Sequence, residues 1–569
     1  MQHRWILPPR EDLNGGAIPW SEICASECIA RLLFRKGFGS AGEVQDFLRP
    51  RLSSLSDPFL LPQMRAAVPR ILLALDRRER IVLFGDYDVD GVTSLALLAE
   101  TLRAYGATPE LFLPLRMEEG YGLSRESVAR CLEGHRPQLL VALDCGTASV
   151  EEIATLKRDG VDVIVLDHHE PRSVLPDCVA MVNPKADLAS SFHYFCSVGI
   201  VFKLCHALLK TRPLPGFDLK SKLDLVALGT VADIVPLVKE NRLLVQRGAI
   251  EIGRTSRIGL RKLMQVAGVR PPISSEDIGY RLGPRLNAAG RLSSAEKSLR
   301  LLLTNDEDEA TALAIELDQQ NRARQEVEKQ ILAAAVETID KRFDPARDAS
   351  IVAGARGWHP GVLGIVASRI ARKYHRPAIL VGFDENGVGK GSGRSIEGLN
   401  LVDALTRCAS RDCAIEKFGG HEMAAGLAVR EENFEQFADV FGCIARESLS
   451  EEALQLRLYL DHEVPFRDID VEFLRCHELL QPFGNANPQP IFFARAVEPV
   501  GPPRVSNEKH LVFRLRQGNR HRRAVYFDGA ANQLPPSPWD VAFRIALDEY
   551  DGETLVGMRI EAVRAAEPV

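Results

Sequence analysis

The chain has 569 residues, 46% of them apolar, a formal charge of −6 and eleven cysteines without paired spacing. The length suits about three to four domains with buried cores, and the charge excludes a chain that wraps nucleic acid along its whole surface while leaving room for local basic patches. The cysteine pattern argues for a reducing compartment and against a disulfide framework. Residues 1 to about 75 carry no visible chemistry. Apolar positions at helical spacing run through 21–36 and 64–77, with Pro50 and Pro58 breaking the segment between them, so this part reads as a helical cap on the domain after it.

From Ile81 the pattern becomes strand, loop, helix, repeated. Strands are predicted over 81–84, 110–115, 139–143 and 161–166, and helices over 92–105, 124–132 and from Ser149 to near Gly160. Ser149-Val150-Glu151-Glu152 has the form of a capping box. This alternation implies a parallel sheet with helices on its faces. Gly85-Asp86-Tyr87-Asp88-Val89-Asp90-Gly91 follows the first strand, and Gly91 suits a tight turn into the helix. Asp144 follows the third strand and Asp167-His168-His169 the fourth. Carboxyl ends of parallel strands are where open α/β sheets place their sites. A lone acidic turn is as well read as solvated surface, and a lone histidine pair as a polar corner. Together these groups offer hard oxygen and imidazole ligands to a divalent metal. Asp233 is embedded in the apolar run 228–237, where burial demands either hydrogen bonds or a cation.

The 299–339 stretch is charged with apolar points at helical spacing. It suits one helix joining two lobes, or a solvated bundle helix. A second α/β unit follows, with strands over 351–355 and 378–381 around a helix over 361–374. Gly389-Lys390-Gly391-Ser392-Gly393-Arg394-Ser395 and Phe418-Gly419-Gly420-His421 read as glycine-rich loops whose N–H groups can approach phosphate. Beyond residue 455 come short apolar alternations at 491–494, 511–515, 524–527 and 541–545, which suit a small β-barrel. Arg514, Arg516, Arg520, Arg522 and Arg523 flank its Gln517-Gly518-Asn519 turn. They form either a solvated hairpin or a surface for single-stranded nucleic acid.

The aspartate-rich loop, Asp144, Asp167-His168-His169 and 229–236 resemble the motifs of the DHH phosphoesterase superfamily. Arg116-Met117-Glu118-Glu119-Gly120-Tyr121-Gly122, Gly283-Pro284-Arg285-Leu286-Asn287-Ala288-Ala289-Gly290-Arg291-Leu292 and Gly419-Gly420-His421-Glu422-Met423-Ala424-Ala425-Gly426 narrow the resemblance to the RecJ family of single-stranded-DNA-specific exonucleases. It covers nearly the whole chain from about residue 30. The resemblance implies an α/β fold: a helical cap over 1–75, a parallel-sheet DHH catalytic domain over 76–300, a connecting helix over 301–345, a smaller α/β DHHA1 domain over 346–452 and an OB-type barrel over 453–569. It also implies 5′→3′ hydrolysis of single-stranded DNA to 5′-mononucleotides with two manganese ions, magnesium substituting, in repair and recombination. Asp86 and Asp88 would serve one metal, Asp90, His168 and Asp233 the other, and Asp144 both; His169 would lie near the reacting phosphate. Arg291, His359, Ser392, Arg394 and His421 would contact DNA, with Arg116, Ser392 and Arg394 on a terminal 5′ phosphate. A single-strand-binding protein and a RecQ-type helicase are the expected protein partners. One departure is Ala486, where the family often has glycine, so the local turn is expected to differ. A phosphodiesterase of short oligonucleotides or cyclic dinucleotides is the enzyme alternative, disfavoured by the long basic-aromatic C-terminal unit. A metal-free replication scaffold is the non-enzymatic one, disfavoured by the full ligand set. Residues 1–9 lack the apolar core of a secretory leader and no apolar run nears the ~20 residues of a membrane span, so a soluble, cytoplasmic protein is expected.

Overall fold

The computed structural model describes residues 4–9, 26–115, 118–120, 122–292, 294–411, 415–550 and 553–566, with backbone alone at 291–292, 547–550 and 553–555. The chain divides into two compact units, 56–455 and a second made of 1–55 with 456–569.

In the larger unit, five strands form an all-parallel sheet. Glu110–Phe112 lies at one edge, followed in space by Ile81–Gly85, Leu139–Leu143, Asp162–Leu166 and Ala180–Val182. The first and third strands are buried along their whole length, as expected for a sheet covered on both faces. Phe84 stacks on Phe112 with ring centroids 4.9 Å apart, and truncating such a buried ring to alanine costs about 3–5 kcal/mol. Strand order reverses between the first and third strands, which makes a topological switch point at their carboxyl ends. The helix after the first strand, Val89–Ala104, is buried nearly all round and packs against the helices Ser197–Thr211 and Leu223–Ala232. It starts earlier than the periodicity predicts because Asp88 caps it, Oδ1 accepting from the N–H of Asp90 and Gly91. Gly91 therefore sits in the first helical turn, where a Cβ would collide with the carbonyl of Asp86. Close approach, not turn conformation, requires glycine there.

The charged stretch is not one helix from 299. Glu296–Leu303 ends at Thr304, and Asp306 opens a separate helix, Glu307–Asp340, by accepting from Glu309 N–H. This long helix packs against both the Gly283–Leu292 helix and the Pro360–Tyr374 helix. The capping box expected at Ser149 does not form; its hydroxyl donates to the Leu123 carbonyl, and the box closes at Ser124 with Ser127 instead.

The second sheet of this unit runs Ile415–His421, Ala424–Arg430, Val388–Arg394, Ala378–Phe383, Ile351–Arg356, antiparallel except for its last pair. The two glycine-rich runs are thus strands and not phosphate-cradling loops, and the central one spends its backbone donors on two neighbours. Glycines 389, 391 and 393 alternate against Val381, Ile379, Leu401 and Leu427, so close that a Cβ on any of them would clash.

In the other unit, Phe492–Pro499, His510–Gln517, Arg520–Tyr526, Trp539–Tyr550 and Glu553–Ala565 close into a five-strand barrel. Phe492–Pro499 pairs with both Trp539–Tyr550 and His510–Gln517, and Arg520–Tyr526 runs parallel to Glu553–Ala565. Closure removes the free edges a flat sheet would expose. The early helices Glu27–Arg35 and Ala41–Leu48, expected with the rest of 1–75 as a cap on the domain after them, belong to the barrel's unit instead. Ile29, Leu33, Val44 and Leu48 share the barrel's core with Phe466, Phe473, Phe492 and Phe543, whereas the Met64–Arg77 helix belongs to the larger unit. Among the described residues no helix is long and apolar enough to cross a membrane.

Candidate metal centre

The acidic groups converge at the switch point. Single ligand atoms of Asp86, Asp88 and Asp144 lie within 4.8 Å of one another, as do those of Asp90, His168 and Asp233, and of Asp144, His168 and His169. Asp86 and Asp144 leave neighbouring strands, and Asp233 ends the Leu223–Ala232 helix as its C-cap. His168 Nε2 stands 3.4 Å from Asp144 Oδ1, 3.4 Å from Asp233 Oδ2 and 3.9 Å from Asp90 Oδ2. Asp144 has φ 64° and Ile234, next to Asp233, has φ 60°. A left-handed β-branched residue is a genuine outlier, and such strain, of order 1–3 kcal/mol, concentrates at functional sites.

Electrostatics here oppose the metal-free arrangement. Burial and then Asp88 push Asp90 up to about 7. Burial together with the other aspartates pushes Asp144 and Asp233 well above the carboxylate range. Burial drives His168 down to about 3, so its imidazole is neutral and can lend a lone pair. Both of its ring nitrogens are buried without a hydrogen-bond partner among the described residues, and so is Asp233 Oδ2. Clustered, desolvated carboxylates around an unsatisfied neutral imidazole are the donor set a hard or borderline divalent cation satisfies.

Second contacts hold these groups. Asp90 accepts through Oδ2 from Ser197 N–H at 2.7 Å and through Oδ1 from Val198 N–H at 2.8 Å, at the start of the Ser197–Thr211 helix. The Ser197 hydroxyl donates to Asp144 Oδ1 at 2.9 Å. Asp167 points the other way. It accepts from the N–H groups of His168 and Thr147 and sits 2.7 Å from His169 Nδ1. Burial would lower His169, but the bonded Asp167 carboxylate outweighs it and raises the imidazole to about 9. Burial would raise Asp167, and the bonds from His169 and Thr147 instead hold it below the carboxylate range. The sequence flags Asp167 only as part of a motif, and nothing in local pattern flags Ser197, whose role depends on tertiary contact.

In the second sheet, Ser392 and Arg394 come together, with Nη1 of Arg394 donating to Ser392 Oγ at 3.2 Å. Both lie over the first turns of the Pro360–Tyr374 helix, where a Cβ on Gly364 would stand 2.8 Å from Arg394 Nη2 and 3.0 Å from Ser392 Oγ. Burial lowers the Arg394 guanidinium, and no carboxylate faces it among the described residues. His359 is the N-cap of that helix, its Nδ1 accepting from Gly361 N–H at 3.1 Å. His421 is exposed at the end of the Ile415–His421 edge strand. Arg116 and the side chain of Arg291 lie outside the described residues.

The comparisons with known proteins agree along the chain. The DHH family, N-terminal domain matches residues 80–230, the DHHA1 domain 348–447 and the RecJ OB domain 460–562. The single-stranded-DNA-specific exonuclease RecJ of Bacillus subtilis is 35% identical over 571 residues, covering 99% of this chain and 71% of that protein. The crystal structure of RecJ from Thermus thermophilus in complex with Mn2+ superposes with a TM-score of 0.83 at 31% identity, covering 100% of this chain and 80% of that one. Its Mg2+ complex superposes with a TM-score of 0.77 at 29% identity, covering 99% and 79%. A sequence identity above 30% over nearly the whole chain, on the same three domains, shows that this chain belongs to the RecJ family.

Proposed function

We propose that the chain is a single-stranded-DNA-specific exonuclease that hydrolyses phosphodiesters from a 5′ end and releases 5′-mononucleotides, in repair and recombination alongside a single-strand-binding protein and a RecQ-type helicase. The observation that carries this reading is the convergence of Asp86, Asp88, Asp90, Asp144 and Asp233 with His168, whose ring nitrogens have no hydrogen-bond partner among the described residues. The donor set fits two divalent ions. Asp86, Asp88 and Asp144 would hold one, and Asp90, His168 and Asp233 the other, with Asp144 shared. Manganese, or magnesium in its place, supplies when bound an acidified water and positive charge against phosphate oxygens.

The rest falls to the chain's own groups. His169, whose imidazole the bonded Asp167 carboxylate raises to about 9 against the effect of burial, offers positive charge or a proton to the leaving oxygen. Ser392 and the half-buried Arg394 guanidinium, over the first turns of a 15-residue helix, suit a terminal 5′ phosphate through forked hydrogen bonds and the helix N-terminal field. His359, at that N-terminus, and His421 belong to the same DNA path, and Arg116 and Arg291 join it on their motifs alone. On the barrel, Arg504, Arg514, His521 and Arg523 line a groove of about 440 Å³ with Val500 and Val512, a surface suited to single strands. Two of the hairpin arginines, Arg522 of the same groove and Arg516, also have partners within the protein. Arg516 pairs with Glu498, and Arg522 Nη2 donates to the Phe466 and Ile469 carbonyls.

The test is a manganese-dependent assay on 5′-phosphorylated single-stranded DNA, duplex DNA, a linear dinucleotide and a cyclic dinucleotide, repeated with Asp144→Ala. Mononucleotides released from the single strand, first from its 5′ end and only by the unaltered chain, are expected. Cleavage confined to the dinucleotides would transfer the reading to a small-substrate phosphodiesterase, and no cleavage of any substrate would leave a scaffold.

A further inference from the structure

The loop that carries Asp86, Asp88 and Asp90 is held from outside by the Gly283–Leu292 helix, distant in sequence. The Val89 N–H opens the Val89–Ala104 helix and would otherwise point at solvent or at nothing. It donates to Oδ1 of Asn287, on the Gly283–Leu292 helix, at 3.0 Å. The next two N–H groups, of Asp90 and Gly91, go to Asp88 Oδ1. Asp88 thus commits Oδ1 to capping, and Asn287 meets the donor that Asp88 does not. One turn on, a Cβ on Gly290 would stand 2.5 Å from the Tyr87 carbonyl oxygen, so the same helix presses on the peptide between Asp86 and Asp88. Its far side is tied to the long helix by Arg285, which bonds Asp318 at 2.9 Å.

We propose that Asn287 is a positioning residue for the metal centre. Its amide oxygen fixes the Asp88–Val89 turn, and so the direction of the Asp88 and Asp90 carboxylates, without touching a cation itself. This rests on the reading of the centre as a cation site, but not on the identity of the substrate. Groups that orient metal ligands in this way typically account for 10–100-fold in metal affinity.

The test compares Asn287→Leu, nearly the same size with no acceptor, Asn287→Gln, whose acceptor sits one methylene too far, and Asn287→Asp, which keeps an acceptor in place. Mn2+ binding to the whole chain is followed by electron paramagnetic resonance of the free ion, and Val89 N–H protection by hydrogen exchange, both without DNA. Asn287→Leu and Asn287→Gln are expected to weaken Mn2+ binding about tenfold and to deprotect Val89, while Asn287→Asp stays within about threefold of the unaltered chain. Where cleavage is measured, the loss should appear as a higher Mn2+ requirement with kcat recovered at saturating metal. Leucine binding Mn2+ normally, or aspartate failing as badly as leucine, would overturn the proposal. If Asn287→Leu does not fold, the glutamine–aspartate pair decides. A chain that binds Mn2+ but cleaves no DNA would sink the exonuclease reading and leave this one standing.

Discussion

His168 Nε2 lies 3.4 Å from Asp144 Oδ1, yet no hydrogen bond joins them. Two polar groups buried side by side without a hydrogen bond between them are costly unless a third party satisfies both. Asp144→Asn keeps the shape, removes a buried carboxyl group whose ionisation burial and the neighbouring aspartates oppose, and removes a ligand. The metal-free chain should therefore melt at a higher temperature than the unaltered one. The unaltered chain should gain about 2.7 kcal/mol at Mn2+ a hundredfold above its dissociation constant, and the variant should gain much less. Cleavage should fall on the order of a hundredfold or more. Thermal melts with and without Mn2+ read the first two outcomes. A variant that melted lower without metal and kept the full shift with it would rule out the cluster as a cation site.

Asp167 is held by three backbone donors and faces His169 at 2.7 Å, away from the cluster. Asp167→Asn leaves a neutral partner and one acceptor oxygen in its place. Turnover should fall by about tenfold or more, with a clearly smaller change in Mn2+ affinity. Steady-state kinetics at saturating Mn2+, beside a Mn2+ titration, separates the two effects. Unchanged turnover would mean that the orientation and charge of His169 do not matter to the reaction.

The parallel sheet and its acidic ends were legible because both rest on local pattern. Alternating strand and helix periods mark the sheet, and the strand ends locate Asp86, Asp144 and His168. Three features were not legible, each for a tertiary reason. The glycines at 389, 391 and 393 look like a phosphate loop, but they are small because Leu401, Ile379 and Leu427 crowd the strand. The helices Glu27–Arg35 and Ala41–Leu48 read as a cap on their sequence neighbour, whereas their apolar stripe completes the core of a barrel at the other end of the chain. Ser197 shows nothing in sequence because its hydroxyl acts only once its helix docks beside Asp144.

Ala486, where the resemblance leads one to expect glycine, is held in a backbone conformation that carries a cost. The turn still forms, with Gly484 and Asn487 exchanging backbone hydrogen bonds and Asn487 Nδ2 donating to the Leu480 and Pro482 carbonyls. Ala486 is nevertheless held at φ 58°, a left-handed conformation that costs an L-residue roughly 1–2 kcal/mol. Glycine adopts it freely but loses more chain entropy on folding. Ala486→Gly should stabilise the unit by about 0.5–1 kcal/mol, read as a higher denaturation midpoint with an unchanged slope. A lower midpoint would show that the turn gains more from the stiffer residue than it loses to strain.

His477 gives the barrel unit a dependence on acid. Its ring packs among Phe473, Phe483 and Phe492, and Nε2 is buried with no hydrogen-bond partner among the described residues. Burial drives its pKa down to about 4, against roughly 6.5 in an unfolded chain. Between those values the unfolded chain binds a proton that the native unit refuses, so stability rises with pH across the window. The contribution is complete above about pH 6.5 and is lost as pH falls toward 4, at no more than about 1.4 kcal/mol per pH unit. His477→Phe keeps a ring among the same aromatics and removes the proton. Hydrogen exchange at the Phe492 and Phe543 amides, followed from pH 4 to 7 and corrected for intrinsic rates, should show a weaker loss of protection in acid for the variant. Equal slopes for the two chains would place the acid sensitivity of this unit elsewhere.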